Sequence, residues 1–207
     1  TNSWVQSNSP TTAPWVNIGA ATATQNLIGP DGALSGWTIG DSGSSIRDYQ
    51  INGEVLTAAT YTDSYFIAKT VGAQTHYPVM VTNNATKLAA AVIDTTNGIA
   101  TIQTSYTGFT ITTSSARCIS HNAAWWRVEL TFLADADPTG WVKYWFPAGT
   151  TSATTLSGAG NTLDTTASGT NGFYGAQREP GSSATPYIPT TTIAVARNAD
   201  VVGVTTS

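Results

Sequence analysis

Hydrophobic and polar residues alternate along this chain in short runs, and turn residues separate one run from the next. The segment 60–71 (TYTDSYFIAKTV) alternates and is rich in β-forming residues. Similar runs stand at 37–39, 46–56, 77–82, 89–101, 109–113, 117–119, 125–132, 141–146 and 173–177. No stretch carries the 3.6-residue period of an amphipathic helix, and no block recurs at the roughly 20–50-residue spacing of repeat folds. Gly29-Pro30-Asp31-Gly32 is a turn, because Pro presets φ and Asp-Gly suits the tight exit. Asn52-Gly53, between Ile51 and Val55, predicts a hairpin. Glu179-Pro180-Gly181-Ser182-Ser183 forces the chain to turn, and 185–189 is extended again, since a residue before proline is driven out of the helical region. Ile193, Val195 and 197–200 read as a closing strand, and 150–170 as a long Gly/Ser/Thr connection.

Many short strands with turns between them predict an all-β fold, an antiparallel β-sandwich of jelly-roll type. Pro10 and Pro14 interrupt the start, so residues 1–28 read as an N-terminal arm with a candidate edge strand at Trp15–Ile18, and 29–207 as the sandwich, one domain overall. A length of 207 residues fits that reading.

Composition narrows the function. Charged residues are only 10% of the chain, well below the usual quarter, and Thr, Ser, Ala and Gly take their place. Such surfaces are common in extracellular and virion proteins. The net charge is -4 and the eight Lys and Arg are scattered, so no basic stripe exists to displace counterions from a phosphate backbone, and no nucleic acid is expected. No run of about 18 apolar residues is present, so no membrane span is expected, and Thr1-Asn2-Ser3-Trp4 lacks a secretory-signal layout. Cys118 is alone, which rules out an intrachain disulfide and makes it a small buried hydrophobe.

The segment 172–200 carries a longer pattern. Gly175-Ala176-Gln177-Arg178-Glu179-Pro180-Gly181, Ala184-Thr185-Pro186-Tyr187-Ile188-Pro189-Thr190 and Ala196-Arg197-Asn198-Ala199-Asp200 follow one another in order. This string resembles the C-terminal signature of β-sandwich domains in bacteriophage tail, fibre and head-spike proteins, where it ends a jelly roll of the concanavalin and carbohydrate-binding-module kind. Pro30-Asp31-Gly32 matches a turn near the start of that family, and 60–69 resembles its "TYTFSVYAK" strand with one extra residue before Lys69, which predicts a bulge or a local shift. Ile93-Asp94-Thr95-Thr96-Asn97-Gly98 resembles its "DL-TG" hairpin, and Trp125-Trp126-Arg127-Val128-Glu129-Leu130-Thr131-Phe132 its "NGWYRCSLTF" strand. The resemblance implies one jelly-roll domain and a place in a virion or outside the cell.

Jelly-roll carbohydrate-binding modules stack sugar faces on aromatic rings, and this chain has seven Trp and eight Tyr. On 141–146, alternation puts Trp141, Lys143 and Trp145 on one face and Val142, Tyr144 and Phe146 on the other. Lys143 favours water, so its face is expected outward, with Trp141 and Trp145 as a sugar platform. Tyr65 beside Asp63, Trp37 after Gly36, and Trp125 near His121 and Asn122 are further candidate contacts. The opposite assignment leaves Lys143 snorkelling over a buried Trp pair. No E-x-D-x-x-E string of the glucanases occurs, Asp135 and Asp137 read as a turn pair, and Glu129 and Glu179 read as structural carboxylates. Catalytic residues are therefore expected to be none. No HxxxH or CxxC spacing argues for zinc, no cofactor is implied, and a structural calcium ion has candidates in Asp31, Asp41, Asp48 and Asp200. The leading expectation is a non-catalytic module that binds an oligo- or polysaccharide. Its rivals are a purely structural virion or oligomerisation domain, partnered by copies of itself or other virion proteins, and a glycan depolymerase fragment.

Overall fold

A computed structural model of the chain describes residues 2–3, 7–19, 21–42, 48–136, 140–156 and 167–195, with backbone alone at 48–53. The described residues form two packed sheets and no helix. The first sheet runs in the order β1 (Trp15–Ile18), β4 (Asp48–Glu54), β12 (Trp141–Thr150), β6 (Tyr77–Asn83), β7 (Lys87–Asp94) and β8 (Ile99–Ile102). A short β9 (Thr110–Ile111) pairs with β7 in parallel. The second sheet runs β10 (Thr113–Ser120), β11 (Trp125–Leu133), β5 (Thr60–Ala68), β13 (Gly169–Pro180), β3 (Leu34–Asp41) and β2 (Thr22–Ile28), all antiparallel. The all-β antiparallel sandwich expected from the pattern is what the chain forms.

Period-two alternation fixes which residues face the other sheet. Met80, Ala89, Ala91, Ile93, Trp141 and Trp145 from the first sheet meet Ile39, Tyr65, Ile67, Val128, Leu130, Phe132 and Phe173 from the second. Rings mesh across the gap: Phe132 with Trp141 at 5.2 Å and Tyr65 with Trp145 at 5.7 Å between centroids.

The interior also holds charge. Asp63 on β5 and Arg178 on β13 are cross-strand partners that point inward, where Arg178 Nε and Nη2 donate to the two Asp63 oxygens at 2.8 and 3.0 Å. Lys143 on β12 reaches across the sandwich and places Nζ 2.5 Å from Asp63 Oδ1. Arg178 further donates to Thr82 Oγ1 on β6 at 2.7 Å and to Glu54 on β4 at 2.9 Å. Side chains of Asp63, Arg178 and Lys143 are at most 2% exposed. Burial alone pushes the Asp63 carboxyl up, but the charges of Arg178 and Lys143 outweigh it and hold the group below its ordinary value of 3.8.

Local expectations fared unevenly. The turn at Gly29-Pro30-Asp31-Gly32 is present, with Gly32 at φ 79° and Gly29 accepting its N–H at 3.0 Å. The hairpin after Asp94 is present too, capped by Asp94 Oδ1 accepting the N–H groups of Thr96 and Asn97. Asn52-Gly53 is not a hairpin. Strand β4 runs straight through it, and Trp141↔Glu54 steps to Lys143↔Ile51, so the extra residue is a β-bulge opposite Val142. The bulge expected before Lys69 is absent from the β11 side of β5, whose pairing with β11 is continuous from Thr60 to Ala68. The irregularity lies on β13, between Tyr174 and Gln177. Thr22–Ile28 forms an edge strand with no counterpart in the expectations, and the closing strand at 197–200 lies outside the described residues.

Asp63→Asn removes the carboxylate shared by Arg178, which keeps Glu54, and Lys143, and the expected loss at neutral pH is about 3–5 kcal/mol in urea unfolding. The folded-state pKa of Asp63 is depressed, so its contribution is present above about pH 4 and fades as pH falls through the lower folded value. The acid limb of a stability-versus-pH curve is therefore expected to be shallower in Asp63→Asn than in the parent; equal limbs contradict the assignment.

Candidate functional site

The expected Trp platform is corrected by the structure. Trp141 and Trp145 are 0% exposed and Lys143 2%, so their face of β12 is the interior one. Lysine is tolerated there because Asp63 neutralises it, which reverses the argument that lysine marks the wet face. Tyr65 is 0% exposed in the same interior. Trp125 is buried against the backbone of β3, where a Cβ on Gly36 would stand 3.0 Å from the indole, and its Nε1 donates to Ile28 O at 3.0 Å. Trp37 is half-buried, packs at the margin of the main core and donates to Asn8 O at 3.0 Å. Five of these six side chains are buried, and Trp37 is half-buried.

On the outer face of the second sheet Phe66, Tyr174 and Trp125 form a second buried cluster, with half-buried Tyr187 packed against it. Arg127, Phe66 and Tyr174 are direct cross-strand partners, one row across β11, β5 and β13. The next row is Glu129, Ser64 and Gln177, and the one after that Thr131, Thr62 and Glu179. The last two rows are covered by the segment 181–190, which folds back as a strap. Glu179 accepts the Thr185 N–H at 2.8 Å and its hydroxyl at 2.6 Å. Gln177 Oε1 accepts the Ile188 N–H at 2.7 Å, and its Nε2 donates to Thr185 O at 3.2 Å. Glu129 accepts Arg117 at 2.7 Å. Both glutamates are thus structural carboxylates.

Gly175 and Ala176 make the β13 bulge, with Gly175 at φ 60°, a left-handed conformation that suits glycine. A Cβ there would stand 2.9 Å from the Tyr187 ring. The bulge lets Tyr187 lie edge-on to Tyr174 at 5.3 Å and to Phe66 at 6.0 Å. N-terminal residues lock the other side of the strap: Ser7 Oγ bonds the Tyr187 hydroxyl at 2.6 Å, and Asn2 Nδ2 donates to Ile188 O at 2.9 Å.

Where the strap ends, a groove opens beside this row, although Phe66 and Tyr174 are themselves only 4% and 7% exposed and Tyr187 is half-buried. Pro30, Asp31, Phe66, His121, Arg127, Tyr174, Pro186 and Tyr187 line a shallow groove of about 390 Å³. His121 stands edge-on to Phe66 at 4.9 Å, and the Arg127 guanidinium lies 5.5 Å from the same ring. Asp31 accepts the Ser35 hydroxyl at 2.6 Å and the Tyr174 hydroxyl at 3.2 Å. Burial pushes the Asp31 carboxyl up, and hydrogen bonds from Ser35, Ala33 and Tyr174 together bring it below its ordinary value. Of these residues, the sequence marks Asp31 as a turn residue and calcium candidate, His121 as a neighbour of Trp125, and Tyr187 as part of the closing signature. Phe66, Tyr174 and Arg127 were missed, although each sits at an outward position of an alternating strand.

Among the described residues no three His, Cys, Asp or Glu side chains converge, and Asp31 is spent on its turn. The side chain of Asp48 and all of Asp200 lie outside the described residues. The Cys118 thiol is half-buried and pushed up to about 12, by burial first and the Asp94 charge second, which keeps it protonated and inert. No known family model matches the chain, and no curated protein matches it.

Gly175→Ala is expected to cost about 1–3 kcal/mol, from strain at positive φ and displacement of Tyr187. Glu179→Ala removes the anchor of Thr185, so protease cleavage within 182–187 should rise at least tenfold before any change in global unfolding. Cleavage that tracks only global unfolding would mean that the strap is not held by Glu179.

Proposed function

We propose that this chain is a non-catalytic saccharide-binding module, and that its site is the groove on the outer face of the second sheet rather than the indoles of β12. The observation that carries the reading is the juxtaposition of an aromatic floor, Phe66, Tyr174 and Tyr187, with polar groups at the rim, Asp31, His121 and Arg127. Sugars offer apolar C–H faces and a fringe of hydroxyls. Ring surface takes the first at about 25 cal/mol per Å², and rim donors and acceptors take the second. The groove is built on rigid strands and a pinned strap, so binding orders little. The resemblance of 172–200 to the closing signature of phage β-sandwich domains supports a jelly-roll topology and a virion or extracellular setting for the same module.

Asp31 and Asp63 are both held below their ordinary value, the opposite of the shift a glycosidase acid needs. The rival structural or oligomerisation module is favoured by one specific observation, the burial of Trp125, Trp141 and Trp145 in the protein's own interior.

Tyr174→Ala is expected to weaken oligosaccharide binding about tenfold in titration calorimetry. Trp145→Phe should lower stability and leave affinity unchanged. A silent glycan array, together with a mass in sedimentation that rises with concentration, would favour the rival.

A further inference from the structure

The groove is electrically lopsided. At one end Arg127 donates through Nη2 to the neutral Ser64 Oγ at 3.1 Å, and its Nε has no acceptor among the described residues. The carboxylates nearest in register are committed elsewhere: Glu129 to Arg117 and the Ala184 N–H, Glu179 to Thr185 and Gln177. Among the described residues Arg127 therefore carries a positive charge with no ion pair, over the face of Phe66. Burial disfavours that charge and lowers the Arg127 pKa, while Glu129 and Glu179 offset the shift only in part. The exposed ring of His121 stands beside it on Phe66. At the other end Asp31 supplies the negative rim, tied to Tyr174.

From this polarity we infer that the ligand is an acidic saccharide, one bearing a sugar carboxylate such as a uronate, with that carboxylate seated on Arg127 and hydroxyls directed to Asp31. The inference rests on the saccharide reading above and adds the ligand's charge and direction. A guanidinium presents a planar fork of N–H donors that matches the two oxygens of a carboxylate. An anion at this point compensates a cation that has no ion pair among the described residues, while Asp31 repels the same anion from the opposite end. A neutral sugar would leave the Arg127 charge as it stands.

The test uses the whole chain and a panel of uronate-containing oligosaccharides, their carboxyl-reduced counterparts and sulfated neutral sugars. The expected result is that carboxyl reduction weakens binding at least about tenfold, and that Arg127→Gln abolishes this difference. Arg127→Lys should retain a smaller preference, because it keeps the charge and loses the fork; thermal unfolding checks that both variants remain folded. Equal binding of the acidic and reduced sugars overturns the inference and leaves the saccharide reading standing, as does a preference that survives Arg127→Gln. Preference for sulfate over carboxylate overturns it as well. No binding by any member of the panel overturns both.

Discussion

Two sheets of this sandwich are tied through a small ionic cluster in an otherwise aromatic interior. Asp63 takes both nitrogens of the Arg178 fork from its own sheet and the Lys143 ammonium from the opposite one. A charge in such a place is costly alone, and the arrangement is tolerable only as a complete set. That condition makes it a register device. A one-residue slip of β5, β12 or β13 would turn one member to the outer face and leave the others without compensation. Hydrophobic residues alone would accept small slips, because one apolar side chain replaces another at modest cost. The sheets' facing and the strands' register are therefore specified together by three side chains.

The same cluster explains what was legible in the sequence and what was not. Alternation and turn chemistry are local, so most strands and the Pro30-Asp31-Gly32 turn could be read directly, and the Asp94 hairpin from the resemblance. The orientation of β12 is not local. Lys143 between Trp141 and Trp145 reads as a wet face until Asp63, 80 positions away in the sequence, is recognised as its counterion. A signal did exist: in a chain with only 10% charged residues, three of them stand within strands patterned for the core. Asn52-Gly53 failed for a related reason. The dipeptide permits a tight turn, but it equally permits a bulge when both flanking segments belong to one continuous strand, and pairing with β12 decides between them.

Burying those indoles removes the most obvious binding surface and shifts attention to the outside of the second sheet. Here the signature 175–190 has a mechanical meaning. Gly175 and Ala176 form the bulge, Gln177 and Glu179 grip the returning backbone, and Arg178 turns inward to the ionic cluster. Gly181, at φ 117°, reverses the chain. Each residue type is required by a contact, so the ordered string encodes one local architecture, a strap pinned across a sheet.

That strap also sets the limits of the groove. Polar rows containing Glu129 with Gln177 and Thr131 with Glu179 lie beneath it, and their hydrogen-bonding groups are consumed in holding it down. The remaining row, Arg127, Phe66 and Tyr174, lies just past Tyr187, where the strap is already pinned by Ser7. Arg127 is thereby separated from the carboxylates that would otherwise pair with it. A guanidinium with no ion pair among the described residues is thus a by-product of closing the fold: the carboxylates that fasten the strap act on it only from a distance. Structure and recognition compete here for the same acidic side chains, and the strap has first claim on them.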